Sequence, residues 1–333
     1  MSRWIPRRKD RPTEPRSVRG RILIWFRRIG IGLLALILTL TAVSLVFNWV
    51  TEPPRTLEPG FGSYVRVGNA DVHYQQWGDH GSPIVLVPGA LESSIVWTAV
   101  GPLLGKDHRV YALDMAWHGY THDSGSLTLA AQADLLDGFI SALHLSRPLV
   151  VGHSLGAAVI ATVALAHPTD ISGVVFADGD ALPIPVGTGF SRILMRAIVT
   201  HTPYLTSAIR IGARWPSAAR SAIKSLCGNP CPGLTADLAE QWVRPLGQQS
   251  EVDALHRWLG ADSYGLTDAQ IAAIAVPASI IWGSEDHNGG SLSQTITNLH
   301  HPPTHIIQKA NHLSMLANPT AFAAAVEAAA SGR

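Results

Sequence analysis

The sequence predicts an α/β protein in which a mostly parallel sheet is flanked by helices. Short apolar runs alternate with longer helical stretches along much of the chain, as strands and helices do in such a sheet. One apolar run, Leu149–Val151, passes through Gly152 and Ser154 into a helical stretch, which indicates a strand that turns sharply into a helix. The interval 183–275 lacks a convincing buried strand and is too long for a loop, so we expect an inserted helical cap there.

The N-terminal residues 1–28 are predicted to form a basic cytoplasmic tail. They contain ten lysines and arginines against two acidic residues, a balance of +8. The remaining chain has 15 basic and 22 acidic residues, a balance of −7. The basic excess therefore belongs to the tail, and nothing indicates a body that binds nucleic acid.

Residues 29–50 are predicted to form a transmembrane helix. These 22 residues carry no charge and are long enough to cross a bilayer. The basic tail should stay in the cytoplasm, which places the catalytic domain on the opposite, extracytoplasmic side. Secretion after cleavage of a signal peptide is the alternative, with Ala42-Val43-Ser44 as a weak cleavage site. We favour an uncleaved signal anchor, because the apolar stretch continues beyond that site.

The predicted core begins after a proline-rich linker, 51–62. Its first part, 63–182, opens with two alternating segments around the turn Gly68–Asp71, which indicates an antiparallel hairpin. Continuous apolar runs then predict strands that are buried on both faces: Ile84–Val87, Val110–Leu113, Leu149–Val151 and Val174–Phe176.

Helices are predicted between these strands. Leu127–Leu145 places its apolar residues on one face, and Leu155–His167 is small and apolar up to Pro168. The second part of the core, 276–333, adds two strand-like runs and ends in an alanine-rich helix that starts at Pro319.

The two cysteines, Cys227 and Cys231, lie in a turn-rich stretch of the predicted cap. Outside the cytoplasm this C-x3-C spacing suits a small disulfide loop, and two free thiols are the alternative. A metal site would need two further ligands, and no histidine or other cysteine lies nearby in the sequence.

The G-x-S-x-G spacing of Gly152, Ser154 and Gly156 resembles the nucleophile elbow of the α/β-hydrolase superfamily. In such an elbow the serine sits in a strained backbone conformation, and small neighbours keep the turn from colliding with itself. The resemblance covers about residues 63–331 and implies the α/β-hydrolase fold. It further implies a serine hydrolase with a serine, an acid and a histidine in that chain order, and no cofactor or metal.

The same resemblance selects Asp286 as the acid and His312 as the base of the triad. Asp286 follows a predicted strand, and His312 follows the last strand of the sheet. Glu285 is a weaker candidate for the acid. Asp178 and Asp180 stay open as alternatives, because they follow the preceding strand, a position that some family members use.

Two backbone N–H groups are expected to form the oxyanion hole. The resemblance assigns one to Leu155, directly after the nucleophile, and one to Ala90, in the loop after the strand Ile84–Val87. Relatives commonly have His-Gly in this loop, whereas this chain has Pro88-Gly89. Because the donor is a main-chain group, we expect the hole to survive this departure.

The resemblance favours a membrane-anchored serine hydrolase that cleaves carboxylic esters through an acyl-enzyme intermediate. Lipase, thioesterase, amidase, C–C bond hydrolase and haloperoxidase-like activities are alternatives on the same scaffold. A catalytically silent, membrane-tethered binding module is the alternative from another class. The predicted partners are a small apolar acyl substrate and, through residues 29–50, the lipid bilayer, without nucleic acid.

Overall fold

The computed structural model of the protein describes residues 18–52, 57–121, 125–183, 197, 202–260 and 264–332. It confirms the predicted fold class, since one eight-stranded and mostly parallel sheet is flanked by helices. The strands are β1 (Ser63–Val67), β2 (Ala70–Trp77), β3 (Pro83–Val87), β4 (Arg109–Leu113), β5 (Leu149–His153), β6 (Gly173–Ala177), β7 (Ala278–Gly283) and β8 (Thr304–Ile307).

The helices of the described residues surround this sheet or precede it. They are α1 (Val18–Val50), α2 (Gly101–Leu104), α3 (Leu129–Ala142), α4 (Leu155–Ala166), α5 (Tyr204–Ala213), α6 (Pro216–Cys227), α7 (Ala236–Leu246), α8 (Gln249–Gly260), α9 (Asp268–Ala272), α10 (Leu292–Asn298), α11 (Ser314–Ala317) and α12 (Pro319–Ser331). A short 3-10 helix, Ser94–Trp97, follows β3.

The sheet has the spatial order β1-β2-β4-β3-β5-β6-β7-β8. The first two strands form the predicted antiparallel hairpin, and β2 also pairs antiparallel with β4. All remaining pairs are parallel. The carboxyl ends of β3, β5, β7 and β8 therefore lie along one edge of the sheet, where the loops that follow them meet.

The apolar core lies on both faces of the sheet. In β3, Ile84 and Leu86 pack into one hydrophobic cluster, whereas Val85 and Val87 pack into the cluster on the other face. Successive side chains of a strand point to opposite faces, so a strand covered on both sides must be apolar throughout. This burial explains why the central strands are continuous apolar runs in the sequence.

Helix α1 is longer than the predicted transmembrane segment, 29–50, because it begins at Val18. Arginine is a good helix former, so the helix extends through Arg27 and Arg28. The span Ile22–Val50 is long and apolar enough to cross a membrane, and its most apolar window is not buried by the rest of the protein. Residues 1–17 of the predicted tail lie outside the described residues.

Helices α5 to α9 lie between β6 and β7, in the interval predicted to form the cap. Residues of this interval contact loops at the sheet edge: Trp242 Nε1 in α7 donates to the carbonyl of Leu91 at 2.8 Å, and Gln248 Nε2, between α7 and α8, donates to the carbonyl of Gly119 at 3.1 Å. Residues 184–196, 198–201 and 261–263 of the predicted cap lie outside the described residues. The cap is thus attached to the loops that follow β3 and β4.

The question left open for the cysteines is answered by the structure, in which Cys227 and Cys231 form a disulfide. The bridge closes the turn that follows α6. The backbone N–H of Asn311 donates to the carbonyl of Cys227 at 3.0 Å, so this turn lies beside the loop that precedes His312.

Candidate active site

The sharp turn between β5 and α4 places Ser154 at its tip. The serine has φ of 50° and ψ of −117°, a conformation that is strained for any residue with a side chain. A Cβ on Gly152 would lie 2.4 Å from the carbonyl oxygen of Gly156, and a Cβ on Gly156 would lie 2.7 Å from that of Pro88. Both elbow glycines are therefore required by the close approach of backbone.

The structure brings the three predicted catalytic residues together. His312 Nε2 lies 3.0 Å from Ser154 Oγ, and His312 Nδ1 lies 3.1 Å from Asp286 Oδ2. The serine and the histidine are 158 residues apart in sequence, and the histidine and the aspartate are 26 apart. These distances suit a proton relay in which the carboxylate orients the imidazole toward the hydroxyl.

The environment of Asp286 favours its charged form. Burial of the side chain would by itself raise its pKa, but the hydrogen bond to His312 and the charge of that residue outweigh burial and lower the pKa below its ordinary value. The other carboxylate oxygen accepts the backbone N–H groups of Asn288 at 2.7 Å and Gly289 at 3.2 Å. Asp286 is thus held in one orientation as an ionised acceptor.

The alternative acids have other partners in the described structure. Asp178 accepts the N–H of Gly283 at 2.6 Å and the hydroxyl of Ser314, and burial raises its pKa to about 6. Asp180 accepts the N–H groups of Leu182 and Ser291. Neither carboxylate forms a hydrogen bond with His312 there, and the side chain of Glu285 is exposed. The geometry therefore favours Asp286, and the catalytic roles stay predictions.

The predicted oxyanion donors line the same cavity as the serine hydroxyl. Ala90 and Leu155 both border this cavity, and within the described residues neither backbone N–H donates a hydrogen bond. The N–H of Ser154, by contrast, already donates to the carbonyl of Ala177 at 2.9 Å. The N–H groups of Ala90 and Leu155 are thus available for a developing negative charge.

A buried pair, Glu92 and His153, joins three loops of the site. Glu92 Oε2 accepts the N–H of Gly89 at 2.6 Å and lies 2.8 Å from His153 Nδ1. His153 Nε2 donates to the carbonyl of His312 at 2.8 Å. Both ring nitrogens face acceptors, which is the arrangement of a charged imidazolium. The pair therefore holds the oxyanion loop, the elbow and the histidine loop together.

In the sequence, His153 is simply the residue before the elbow serine, and no pattern indicates a role for Glu92. The available signal was an acidic residue in the otherwise apolar or small stretch Pro88–Ser94. Its partner lies 61 residues further along the chain. No sequence period connects two positions so far apart, so the sequence could not identify the pair.

Replacing Glu92 with glutamine is expected to remove a pH-dependent contribution to stability. Burial lowers the pKa of His153, but the charge of Glu92 and the hydrogen bond to it, together with the charge of Asp178 and the carbonyl of His312, outweigh burial and raise this pKa to about 9. Because the folded-state pKa lies above the unfolded value of about 6.5, the contribution is fully present below about pH 6.5 and is lost as the pH rises through about 9. Breaking such a buried pair costs roughly 3–5 kcal/mol near neutral pH.

Urea unfolding of the full chain in detergent between pH 6 and pH 10 measures this effect. Glu92→Gln should be less stable than the parent at pH 6, and the difference should shrink toward pH 10. Asp79→Asn is the matched control, because it breaks an exposed His–carboxylate pair with His80 and should leave stability unchanged. A stability difference that is constant across this pH range would contradict the assigned charge state of His153.

The cavity above Ser154 has a volume of about 320 Å³. Small residues form much of its wall, among them Ala158, Ala181 and Gly290. Its polar lining includes Asp180, whose carboxylate is half-buried. The volume lies at the lower end of the range of about 300–1,000 Å³ that is usual for small-molecule sites.

Comparison with known proteins finds relatives along most of the chain. Residues 84–325 match the family described as "Alpha/beta hydrolase family". An uncharacterised hydrolase, YugF of Bacillus subtilis (strain 168), is 26% identical over 227 residues, which cover 66% of this chain and 79% of that protein.

Solved structures with the same fold include two of different described activity. A meta-cleavage product hydrolase from Pseudomonas fluorescens IP01 has a TM-score of 0.64 at 19% identity, and the alignment covers 82% of this chain and 98% of the hydrolase chain. A membrane phospholipase A, described as a bacterial virulence factor, has a TM-score of 0.63 at 19% identity and covers 93% of this chain and 96% of its own. At these identities the likeness concerns the fold.

Proposed function

The chain belongs to the alpha/beta hydrolase family, as its elbow indicates, and from that premise we propose that it is a membrane-anchored serine hydrolase that cleaves carboxylic esters. The observation that carries the proposal is the hydrogen-bonded series Ser154–His312–Asp286 at the wall of a cavity. An ester is the proposed substrate because its hydrolysis needs nothing beyond this series, an oxyanion hole and water.

In the proposed reaction Ser154 Oγ attacks the ester carbonyl carbon while His312 Nε2 accepts the hydroxyl proton. Asp286 holds the imidazole by Nδ1 and stabilises the charge that forms on it. The N–H groups of Ala90 and Leu155 bind the oxyanion of the tetrahedral intermediate. His312 returns the proton to the departing alcohol, and the acyl group stays on the serine.

Water completes the proposed cycle. His312 accepts a proton from a water molecule, whose oxygen attacks the acyl carbon of the serine ester. The second tetrahedral intermediate uses the same two N–H groups, because its oxyanion forms at the same position. Collapse of this intermediate releases the carboxylic acid, and the proton returns from the imidazole to Ser154.

The lining of the cavity supports a neutral acyl group. Asp180 borders the cavity, and the described residues that line it include no lysine or arginine. A carboxylate on the acyl part of a substrate would find no lysine or arginine there and would meet the side chain of Asp180. A neutral and largely apolar acyl chain therefore fits the described lining better than a dicarboxylic acid.

Membrane anchoring is supported by α1, whose span Ile22–Val50 contains an apolar window with a mean hydropathy of 2.5. The membrane phospholipase A covers more of this chain than the meta-cleavage product hydrolase does, 93% against 82%. By the positive-inside rule, we propose that residues 1–28 face the cytoplasm and that the catalytic domain lies on the other side.

A labelled fluorophosphonate and a panel of p-nitrophenyl esters, with acyl chains from short to long, test the proposal. We expect the full-length protein to be labelled at Ser154 and to hydrolyse at least one ester. Labelling without turnover of any ester would redirect the assignment to thioester, amide or C–C bond hydrolysis. Absence of both labelling and turnover would favour the silent binding module and overturn the proposal.

A further inference from the structure

Cap helix α5 has its polar face buried and its apolar face exposed. Ser207 and Arg210 are buried, whereas Ala208 and Ile211 on the opposite face are exposed. Trp215, one turn further along, is 62% exposed. A helix at a water-covered surface has the reverse pattern, with polar residues outward. The exposed face of α5 is therefore suited to an apolar environment.

The buried polar face of α5 packs along α1. Three polar positions on one face of α1 meet polar groups at or next to α5: Thr41 Oγ1 lies 2.7 Å from the hydroxyl of Tyr204, Ser44 Oγ lies 2.8 Å from Ser207 Oγ, and Asn48 Nδ2 donates to the carbonyl of Pro203 at 3.0 Å. Positions 41, 44 and 48 recur at helical spacing, so they form one stripe. This stripe satisfies polar groups that lipid could not.

Arg210 connects the end of α1 to the rest of the cap. Its guanidinium donates to the carbonyl of Asn48 through Nη1, to the carbonyl of Gly247 at 3.2 Å through Nε, and to Gln249 Oε1 at 3.0 Å through Nη2. Gly247 and Gln249 lie at the junction of α7 and α8. The membrane helix and the cap therefore share a buried polar joint.

The joint lies beside the apolar span and not beyond its end. Thr41 precedes Val50 by nine residues, which corresponds to about 14 Å along the helix axis. The candidate membrane span ends at Val50. A partner that contacts Thr41 must therefore lie alongside the part of α1 that is in the bilayer.

We propose that α5 is embedded in the bilayer leaflet next to the catalytic domain, with Ile211 and Trp215 in contact with lipid. Exposed apolar side chains cover α1 and also the outer face of α5, which packs along it. Both helices therefore suit the same lipid surroundings. The exposed side chains of Arg220 and Lys224 on the adjacent α6 suit the anionic phosphates of lipid headgroups. Tryptophan, here Trp215, is enriched at the membrane–water interface, where the headgroups lie.

Two consequences follow for the protein as a whole. Cleavage near Leu45 would remove Thr41 and Ser44, which bond to Tyr204 and Ser207, and would leave Asn48 as the remaining partner of Ser207, so the complete joint requires that α1 is retained. The cap, which contributes Tyr264 to the wall of the cavity, is held at the lipid surface. This second consequence rests on the proposed hydrolase function, and it assigns a lipid-borne ester as the substrate class.

The depth of α5 is measured with the full-length protein in phosphatidylcholine vesicles. A nitroxide is attached to Ile211→Cys, and power-saturation EPR compares its accessibility to oxygen and to a water-soluble nickel complex. The two native cysteines form a disulfide, so the new thiol is labelled selectively. Ser293→Cys, at an exposed position of α10, is the matched control.

We expect the label at position 211 to be accessible to oxygen and protected from nickel, and the label at 293 to show the reverse. Equal accessibility of both labels to nickel would overturn the proposal. This outcome does not depend on catalysis, so it is distinct from a failure of the proposed hydrolase function.

The substrate class is tested with Ile211→Asp, which places a charge on the exposed face without touching the buried joint. We expect its rate on a fluorogenic ester embedded in vesicles to fall by about tenfold or more, with an unchanged rate on a short water-soluble ester. Ser293→Asp should alter neither rate. Equal rates of Ile211→Asp and the parent on the embedded ester would contradict the lipid-borne substrate, whereas inactivity of the parent on both esters would contradict the hydrolase assignment.

Discussion

Replacing Ser154 with alanine is expected to lower kcat for ester hydrolysis by about 10⁶-fold, the scale known for removal of a triad nucleophile. The hydroxyl lies 3.0 Å from His312 Nε2, and no other described side chain occupies the tip of the elbow. The residual rate would come from the oxyanion hole and substrate binding. KM should change little, because the hydroxyl contributes little to binding the ground state.

The measurement is steady-state hydrolysis of the best p-nitrophenyl ester by the full-length protein in detergent. Ser293→Ala is the control for the loss of a serine, because its hydroxyl is exposed on α10, and it should retain the parental rate. Fluorophosphonate labelling should disappear in Ser154→Ala and persist in the control. Retention of ester turnover by Ser154→Ala would refute the nucleophile assignment.

Replacing Asp286 with asparagine is expected to lower kcat by about 10⁴-fold while the fold is preserved. The carboxylate accepts from His312 Nδ1 and thereby selects the tautomer in which Nε2 accepts the serine proton. An asparagine amide in the same place can donate to Nδ1 and stabilise the wrong tautomer. The backbone N–H groups of Asn288 and Gly289 would still hold the side-chain oxygen.

The same assay separates Asp286 from the alternative acids. Asp180→Asn is the informative comparison, because Asp180 lines the cavity and, among the described residues, its carboxylate accepts hydrogen bonds from the loop backbone of Leu182 and Ser291. We expect Asp180→Asn to change KM for some acyl chains and to leave kcat within about tenfold of the parent. A large loss of kcat in Asp180→Asn, together with a small loss in Asp286→Asn, would move the role of the acid to Asp180.

Local patterns in the sequence determined much of the fold. Strands buried on both faces must be apolar throughout, and so the central strands were visible as uninterrupted runs such as Ile84–Val87. The elbow was visible because its backbone approaches itself so closely that only glycine fits at positions 152 and 156. The candidate membrane-spanning segment was visible from its length and the absence of charge, although its helix begins eleven residues earlier than the predicted start.

The tertiary structure decided what depends on contacts between distant parts of the chain. Asp178 and Asp180 follow β6, and Asp286 follows the neighbouring strand β7. Only the folded geometry shows that Asp286 contacts His312, whereas Asp178 accepts the hydroxyl of Ser314. The pairing of Glu92 with His153 spans 61 residues, and that of Ser44 with Ser207 spans 163. The periodicity of a sequence indicates which face of a helix or strand is buried, but it does not indicate which distant side chain packs on that face. The sequence therefore sufficed to predict Ser154 as the nucleophile, whereas the contacts around it and the joint between the cap and α1 were determined only by the fold.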